Sequence, residues 1–223
     1  MTLKIDKKLI YKYNKPGPRY TSYPTAPHFK DVNSDREVLH QIKRNNMTHE
    51  RYLSLYVHLP FCDSLCRFCA CTSLVTKKRE TIDEYNRYLI KEIDLVNTHI
   101  HTDRKVVQLH FGGGTPTYLS PDQIALLGKK IKETFTFASD AEIGCEMDPR
   151  DLTEDHIIAF KDIGVTRASI GVQDFNPKVQ AAINRFNSSQ LVSQVITWLR
   201  KNGFSSINID LVYGLPLQTV NDF

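Results

Sequence analysis

The sequence predicts an α/β fold, an incomplete parallel barrel of (βα) units, and three observations carry that prediction. Strand-like segments alternate with helical periodicities, as a parallel sheet with right-handed crossovers requires. Each strand segment is mostly apolar on only one of its two alternating sets of side chains. Five such strands occupy the 223 residues, the sixth is missing, and a further crossover begins near Gln218-Thr219-Val220.

A chain of 223 residues can bury a core without disulfides or a structural metal. With 41% hydrophobic and 24% charged residues it is not collagen-like, low-complexity or coiled-coil. Its 29 basic against 25 acidic residues leave +4, too weak a charge to imply nucleic acid and compatible with a small polyanionic substrate. The opening residues hold no apolar run of signal-peptide length, and nothing later approaches a membrane span. The sequence therefore reads as soluble and cytoplasmic.

Residues 1–50 read as an irregular N-terminal extension and 51–223 as the barrel portion. The stretch 15–29 carries four prolines and no clean periodicity. After it, DREVLHQIKRN has the makings of a short helix. The strands are expected at 53–59, 106–111, 142–147, 168–173 and 207–212. Between them lie four helical stripes: Ile82/Tyr85/Leu89/Ile93/Val96, Ile124/Leu127/Ile131, Ile157/Phe160/Ile163 and Leu191/Val195/Trp198/Leu199. The second opens with Ser120-Pro121-Asp122-Gln123, a capping-box pattern with proline at the first helical position. The third and fourth stop at Gly164 and Gly203, the usual helix-ending residue.

The apolar sets are Leu53/Leu55/Val57/Leu59, Val107/Leu109/Phe111, Ile143/Cys145/Met147, Ala168/Ile170/Val172 and Ile207/Ile209/Leu211. The opposite sets, including Tyr56, His58, His110, Glu146, Gln173 and Asp210, are polar or small. A sheet covered by helices on both faces would be apolar on both. One face should therefore carry the helices and the other line a wet, polar cavity. The chain stops at Phe223 inside what reads as a helix, so it is expected to be a portion of a longer barrel. Alone it is expected to be weakly stable and without turnover.

Directly after the first strand comes Cys62-x3-Cys66-x2-Cys69, followed by Cys71. Four cysteines within ten residues, in a chain with no export signal, suggest a metal or redox site. Zinc is one reading, although zinc sites usually add a second Cys or His pair. A dense thiolate run favours an iron–sulfur cluster, with three ligands leaving one iron open. After the second strand Gly112-Gly113-Gly114-Thr115-Pro116 offers main chain that a ligand can approach. Glu146, Gln173 and Asp210 belong at the same ends of the next three strands. Cys145 falls in an apolar set and reads as packing; His58 and His110 read as hydrogen-bonded wall residues.

The segments YVHLPFCDSLCRFCAC, QLHFGGGTPTYL, EMDPRDL, RASIGVQDF and NIDLVYGLP resemble radical S-adenosylmethionine enzymes. Together with the N-terminal PGPRYTSYPTAPHF and Cys71, they are similar to the oxygen-independent coproporphyrinogen III oxidase family. Haem-binding and haem-delivery relatives resemble the barrel segments but generally lack those two features, and they stand as the alternative function.

The resemblance implies a fold, an incomplete barrel of the radical S-adenosylmethionine kind, and a set of roles. Cys62, Cys66 and Cys69 would ligate a [4Fe–4S] cluster whose open iron takes the amino and carboxylate groups of S-adenosylmethionine. Tyr56, Phe68, Gly113 and Glu146 would serve that first cofactor, Phe68 against its adenine. Gly114, Thr115, Gln173, Arg185 and Asp210 would hold a second S-adenosylmethionine. Cys71 matches a family cysteine that is not a cluster ligand and is a candidate for the chemistry. Arg19 and Tyr20 are candidates for the cavity mouth. The implied enzyme is an oxidoreductase of porphyrin and haem biosynthesis. One-electron cleavage of S-adenosylmethionine gives a 5′-deoxyadenosyl radical, which removes a propionate β-hydrogen from coproporphyrinogen III. Loss of carbon dioxide and one electron leaves a vinyl group, and a second round gives protoporphyrinogen IX. An electron donor and an acceptor are implied without being identified, as is a monomer at full length.

Overall fold

The computed structural model describes residues 5–15, 25–32, 34–47 and 52–222; Arg19 and Tyr20 lie outside them. Two compact units are present, Met1–Ile42 and Lys43–Phe223. In the first, α1 (Lys7–Tyr13) is capped by Asp6, whose carboxylate accepts from the Lys8 and Leu9 N–H groups, and it buries no residue. Helix α2 (Asp35–Asn46) coincides with the expected short helix and runs across the division.

The second unit holds β1 (Tyr52–Leu59), β2 (Phe61–Cys62), β3 (Leu74–Val75) and α3 (Arg79–Asn97). It continues through β4 (Lys105–Gly113), α4 (Pro121–Thr134), β5 (Phe137–Met147), α5 (Glu154–Asp162) and β6 (Arg167–Gln173). Helices α6 (Pro177–Ile183) and α7 (Ser189–Lys201) and strand β7 (Ser206–Leu211) complete it. The main sheet has the order β1-β4-β5-β6-β7, and every pairing is parallel. Sequential strands are thus neighbours, which is how a barrel grows from repeated (βα) units.

The expected capping box forms at α4 between Ser120 and Gln123, and α5 has a second one, not anticipated from the sequence, between Thr153 and His156. Gly164 and Gly203 take φ values of +94° and +74°, the left-handed conformation that ends α5 and α7 at no steric cost.

One apolar core joins the sheet to the helices. Leu59, Leu109, Phe111, Ile170 and Val172 pack with Ile82, Ile124, Leu127, Ile157, Phe160 and Leu199. The Phe111 and Phe160 rings meet edge-on at 5.8 Å. Each such side chain, fully buried, is worth about 1.5–3 kcal/mol.

Three details of the expected faces differ. In β4 the fully buried valine is Val106 and Val107 is half-buried, because the register with β5 shifts between Val106 and Gln108 and changes the phase of the alternation. In α7 the buried stripe is Val192, Val195 and Leu199, one position on from Leu191. In β7, Ile209 and Leu211 are 40% and 45% exposed, since β7 is an edge strand and no described helix covers them.

Candidate active site

The C-terminal ends of the strands enclose a cavity of about 250 Å³. Cys62, Cys66, Phe68, Cys69, Cys71, Gly113, Gly114, Thr115, Glu146, Gln173, Arg185 and Asp210 all line it. The loop, the glycine turn and the strand ends anticipated from the sequence thus converge on one space. Tyr56 is outside this lining. It lies on the same polar sheet face, its ring stacked at 6.2 Å on His110 and its hydroxyl 3.1 Å from His58 Nδ1. His58 Nε2 lies 2.9 Å from the Thr72 carbonyl, which can only accept, so in the neutral ring Nδ1 takes the Tyr56 proton.

The cysteine loop is held from both sides. At its base β2 pairs with β3, and the Thr76 N–H donates to the Cys62 carbonyl. At its far side the C-terminus of α6 docks. The Arg67 N–H donates to the Ile183 carbonyl at 2.9 Å and its guanidinium to the Ala182 carbonyl at 3.0 Å. Carbonyls at a helix C-terminus have no partner within their helix; the Arg67 N–H and guanidinium satisfy these two, and the guanidinium charge opposes the helix dipole. Asn184, left-handed at φ +55°, ends α6 and donates its amide to the Leu65 carbonyl. Phe68 packs on a small apolar cluster of Val179, Ile183 and Leu215.

Cys62 is half-buried, Cys66 buried, Cys69 and Cys71 exposed, and all are free thiols. Burial pushes the Cys62 thiol up, and the Thr115 hydroxyl 3.6 Å away offsets part of that. Cys145 is in the core, donates to the Glu146 carbonyl, and its thiol is pushed well up by burial, the state of an inert packing cysteine. Among the described residues no group of three or more His, Cys, Asp or Glu side chains converges on a single metal-ion position. A cubane cluster distributes its thiolates over separate irons, so convergence on one point is not its requirement. The donor set fits such a group: three thiols on one tethered loop, beside main chain left open by glycines.

Gly113 sits at φ +120°, and a Cβ there would lie 2.8 Å from the His58 ring. At Gly114 a Cβ would come within 2.7 Å of the Pro60 carbonyl, so the glycine turn lies against the strand leading into the cysteine loop. Glu146 Oε2 accepts from the Gly113 N–H at 3.2 Å, and Oε1 lies 3.5 Å from His110 Nε2. The His110 hydrogen bond holds the Glu146 carboxyl below the usual glutamate range against the opposing effect of burial, with the Gly113 N–H adding to it. Asp210 is fixed by Ser169 Oγ at 2.9 Å and Asn208 Nδ2 at 2.7 Å. Gln173 adopts φ +73° where the β6–β7 register shifts.

Sequence reasoning assigned no role to Asp148 or Arg150, although the segment EMDPRDL contains both. Asp148 receives Arg150 Nη2 at 2.6 Å and Arg185 Nη1 at 3.0 Å. Burial alone would push its carboxyl up; the Arg150 hydrogen bonds and the charges of Arg185 and Arg150 outweigh it and hold the carboxyl low. Arg185 also donates to the Gly171 carbonyl, and both guanidinium groups reach Cys66 Sγ, Arg185 at 3.5 Å and Arg150 at 3.8 Å.

The family model described as the Radical SAM superfamily matches residues 56–223, which include the cysteine loop, the glycine turn and all five strand ends. The chain belongs to the radical SAM superfamily. Within that superfamily it is similar to oxygen-independent coproporphyrinogen III oxidases. It is 45% identical over 222 residues to that of Helicobacter pylori J99, covering 98% of this chain and 48% of the relative. It is 45% identical over 218 residues to that of Escherichia coli K12, covering 98% and 47%. The chain spans about half the length of these curated relatives. Among solved structures, coproporphyrinogen III oxidase (HemN) from Escherichia coli, described as a radical SAM enzyme, superposes with a TM-score of 0.88. That match is 43% identical and covers 100% of this chain and 49% of the other. The five-stranded parallel sheet is thus part of a radical SAM barrel. Members of this superfamily generally use a [4Fe–4S] cluster and S-adenosylmethionine. Among the described residues no helix is long and apolar enough to cross a membrane.

Proposed function

We propose that this chain carries out part or all of the oxygen-independent oxidative decarboxylation of coproporphyrinogen III to protoporphyrinogen IX. The observation that carries the reading is the 45% identity to coproporphyrinogen III oxidases over 98% of the chain, extending through the N-terminal extension as well as the barrel. In this reading 1–50 is the extension and 51–223 the catalytic portion, working in the reducing cytoplasm.

Cys62, Cys66 and Cys69 hold the cluster. Glu146 and the Gly113 main chain orient the first S-adenosylmethionine: a carboxylate kept ionised suits its ammonium group, and the glycine leaves room for close approach. Tyr56 reaches its adenosyl portion along the sheet face, and Phe68 offers the adenine an apolar surface. Gly114, Thr115, Gln173, Arg185 and Asp210 take a second S-adenosylmethionine, with Asp210 presented by Ser169 and Asn208 as an anion for its cationic end. When bound, the cluster and cofactor supply the one-electron chemistry that removes a substrate hydrogen atom. Each propionate loses one hydrogen atom, one electron and carbon dioxide and becomes a vinyl group, so an electron donor and an acceptor complete the cycle. Cys71, exposed beside Cys69 and lining the cavity, acts in this reading on bound substrate without ligating iron.

The test is anaerobic incubation of the reconstituted protein, in its full-length context, with reductant, S-adenosylmethionine and coproporphyrinogen III. Loss of two carboxyl groups through a monovinyl product is expected. Consumption of S-adenosylmethionine with the porphyrinogen unchanged would assign another substrate.

A further inference from the structure

We infer that Asp148 and Arg150 are positioning residues for Cys66, and that through its sulfur they raise the reduction potential of the cluster; this rests on the cluster reading above. Two guanidinium groups share one carboxylate here. The side chains of Asp148, Arg150 and Arg185 are only 6%, 17% and 9% exposed. Two cations against one anion leave a buried surplus of positive charge. The donors of Arg150 that do not bind Asp148 go to Ser64 Oγ at 3.1 Å and Cys66 Sγ at 3.8 Å. Arg185, anchored on the Gly171 carbonyl, aims its Nη1 at the same sulfur from 3.5 Å. Asp151 also acts on Arg150, but it is exposed, where solvent and salt weaken its field.

The other two ligands differ. Cys62 Sγ meets the neutral Thr115 hydroxyl at 3.6 Å, and Cys69 Sγ meets the Cys71 N–H at 3.4 Å. Cys66 alone of the three has two charged donors among the described residues. Hydrogen bonds and positive charge at a ligating sulfur stabilise the more negative, reduced cluster, and burial strengthens the effect. Asp148 keeps two like-charged guanidinium groups together at that sulfur. Arg150 has no part in the proposed cofactor contacts, which makes it the cleaner probe of the two arginines.

The test combines iron and sulfide analysis of anaerobically reconstituted protein with a reductive titration followed by electron paramagnetic resonance, without S-adenosylmethionine. Arg150→Met should keep the wild-type iron and sulfide content and shift the one-electron equilibrium against the reduced form about tenfold, a fall of ~59 mV. Arg150→Lys, which keeps the charge but not the fork, should fall between. Arg167→Met removes the same charge from an exposed pair with Glu142 at the opposite end of the sheet and should shift nothing. A fully loaded Arg150→Met at the wild-type potential would overturn the inference. So would an equal shift in Arg167→Met, or loss of the cluster from both Arg150 variants, which would make Arg150 a structural brace. A wild-type protein that takes up no iron and sulfide would overturn the cluster reading itself.

Discussion

The Glu146 carboxylate accepts a hydrogen bond from the main-chain N–H of Gly113, 3.2 Å away at the end of the neighbouring strand. This contact joins the glycine turn to the polar wall of the cavity, and it depends on a backbone conformation that other residues resist. Gly113→Ala should cost about 1–3 kcal/mol, because φ +120° is strained for alanine and its methyl would meet the His58 ring. S-adenosylmethionine binding should weaken with it. Equilibrium urea unfolding and cofactor binding by calorimetry check both; an unchanged midpoint would remove the strain argument.

Gly114→Ala should act on the metal loop instead. Its methyl would press on the Pro60 and Phe61 main chain within 2.8 Å, and main chain yields only by moving Cys62. Iron uptake on reconstitution should fall several-fold while the far end of the sheet keeps its amide-exchange protection. Wild-type iron content in Gly114→Ala would show that the turn and the loop are uncoupled.

Asp148 predicts a pH dependence. Its folded carboxyl titrates below the ordinary aspartate value, so its contribution is present above about pH 4 and is lost as pH falls through the depressed value. Asp148→Asn leaves the buried Arg185 and the partly buried Arg150 without their anion and should cost roughly 3–5 kcal/mol at neutral pH. Below about pH 4 the variant should lose less further stability than the wild type. Parallel stability profiles for the two proteins would contradict the pairing.

Much of the site was legible because its signals are local. Cysteine spacing, the glycine run and the period-2 alternation each sit in a few consecutive residues, and the fold needs only repeated (βα) units to bring them together. Asp148 and Arg150 escaped such reading, and Arg185 was named only through the family resemblance, because their shared role is tertiary: two arginines 35 positions apart in sequence share one aspartate. Helix α6 was missed at seven residues, too short to show a period, and β2 and β3 at two residues each are shorter still. The phase error at Val106 and Val107 has a cause that alternation cannot reveal, a register shift between two strands.

The exposed edge gives a stability comparison. Ile170 is fully buried in β6, whereas Ile209 is 40% exposed in β7 despite an equivalent place in the alternation. Ile170→Ala should cost roughly 2–5 kcal/mol. Ile209→Ala should cost about 1 kcal/mol or less. Urea midpoints in the reverse order would mean that β7 is covered in solution.

Gln173→Gly separates strain from binding. A φ of +73° is unfavourable for glutamine, and glycine relieves it, so stability should hold or rise by about 1 kcal/mol. Cofactor affinity should nevertheless fall, because the side chain lines the cavity. Lower stability with unchanged affinity would make Gln173 a structural residue.

The most direct measurement is the iron and sulfide content of anaerobically reconstituted cysteine variants, with electron paramagnetic resonance before and after adding S-adenosylmethionine. The wild type should take up close to four irons and four sulfides, as a cubane requires, and its signal should change when the cofactor binds. Cys62→Ala, Cys66→Ala and Cys69→Ala should each lose the cluster, while Cys145→Ala and Cys71→Ala keep it. A full complement of iron and sulfide in Cys66→Ala would contradict the account.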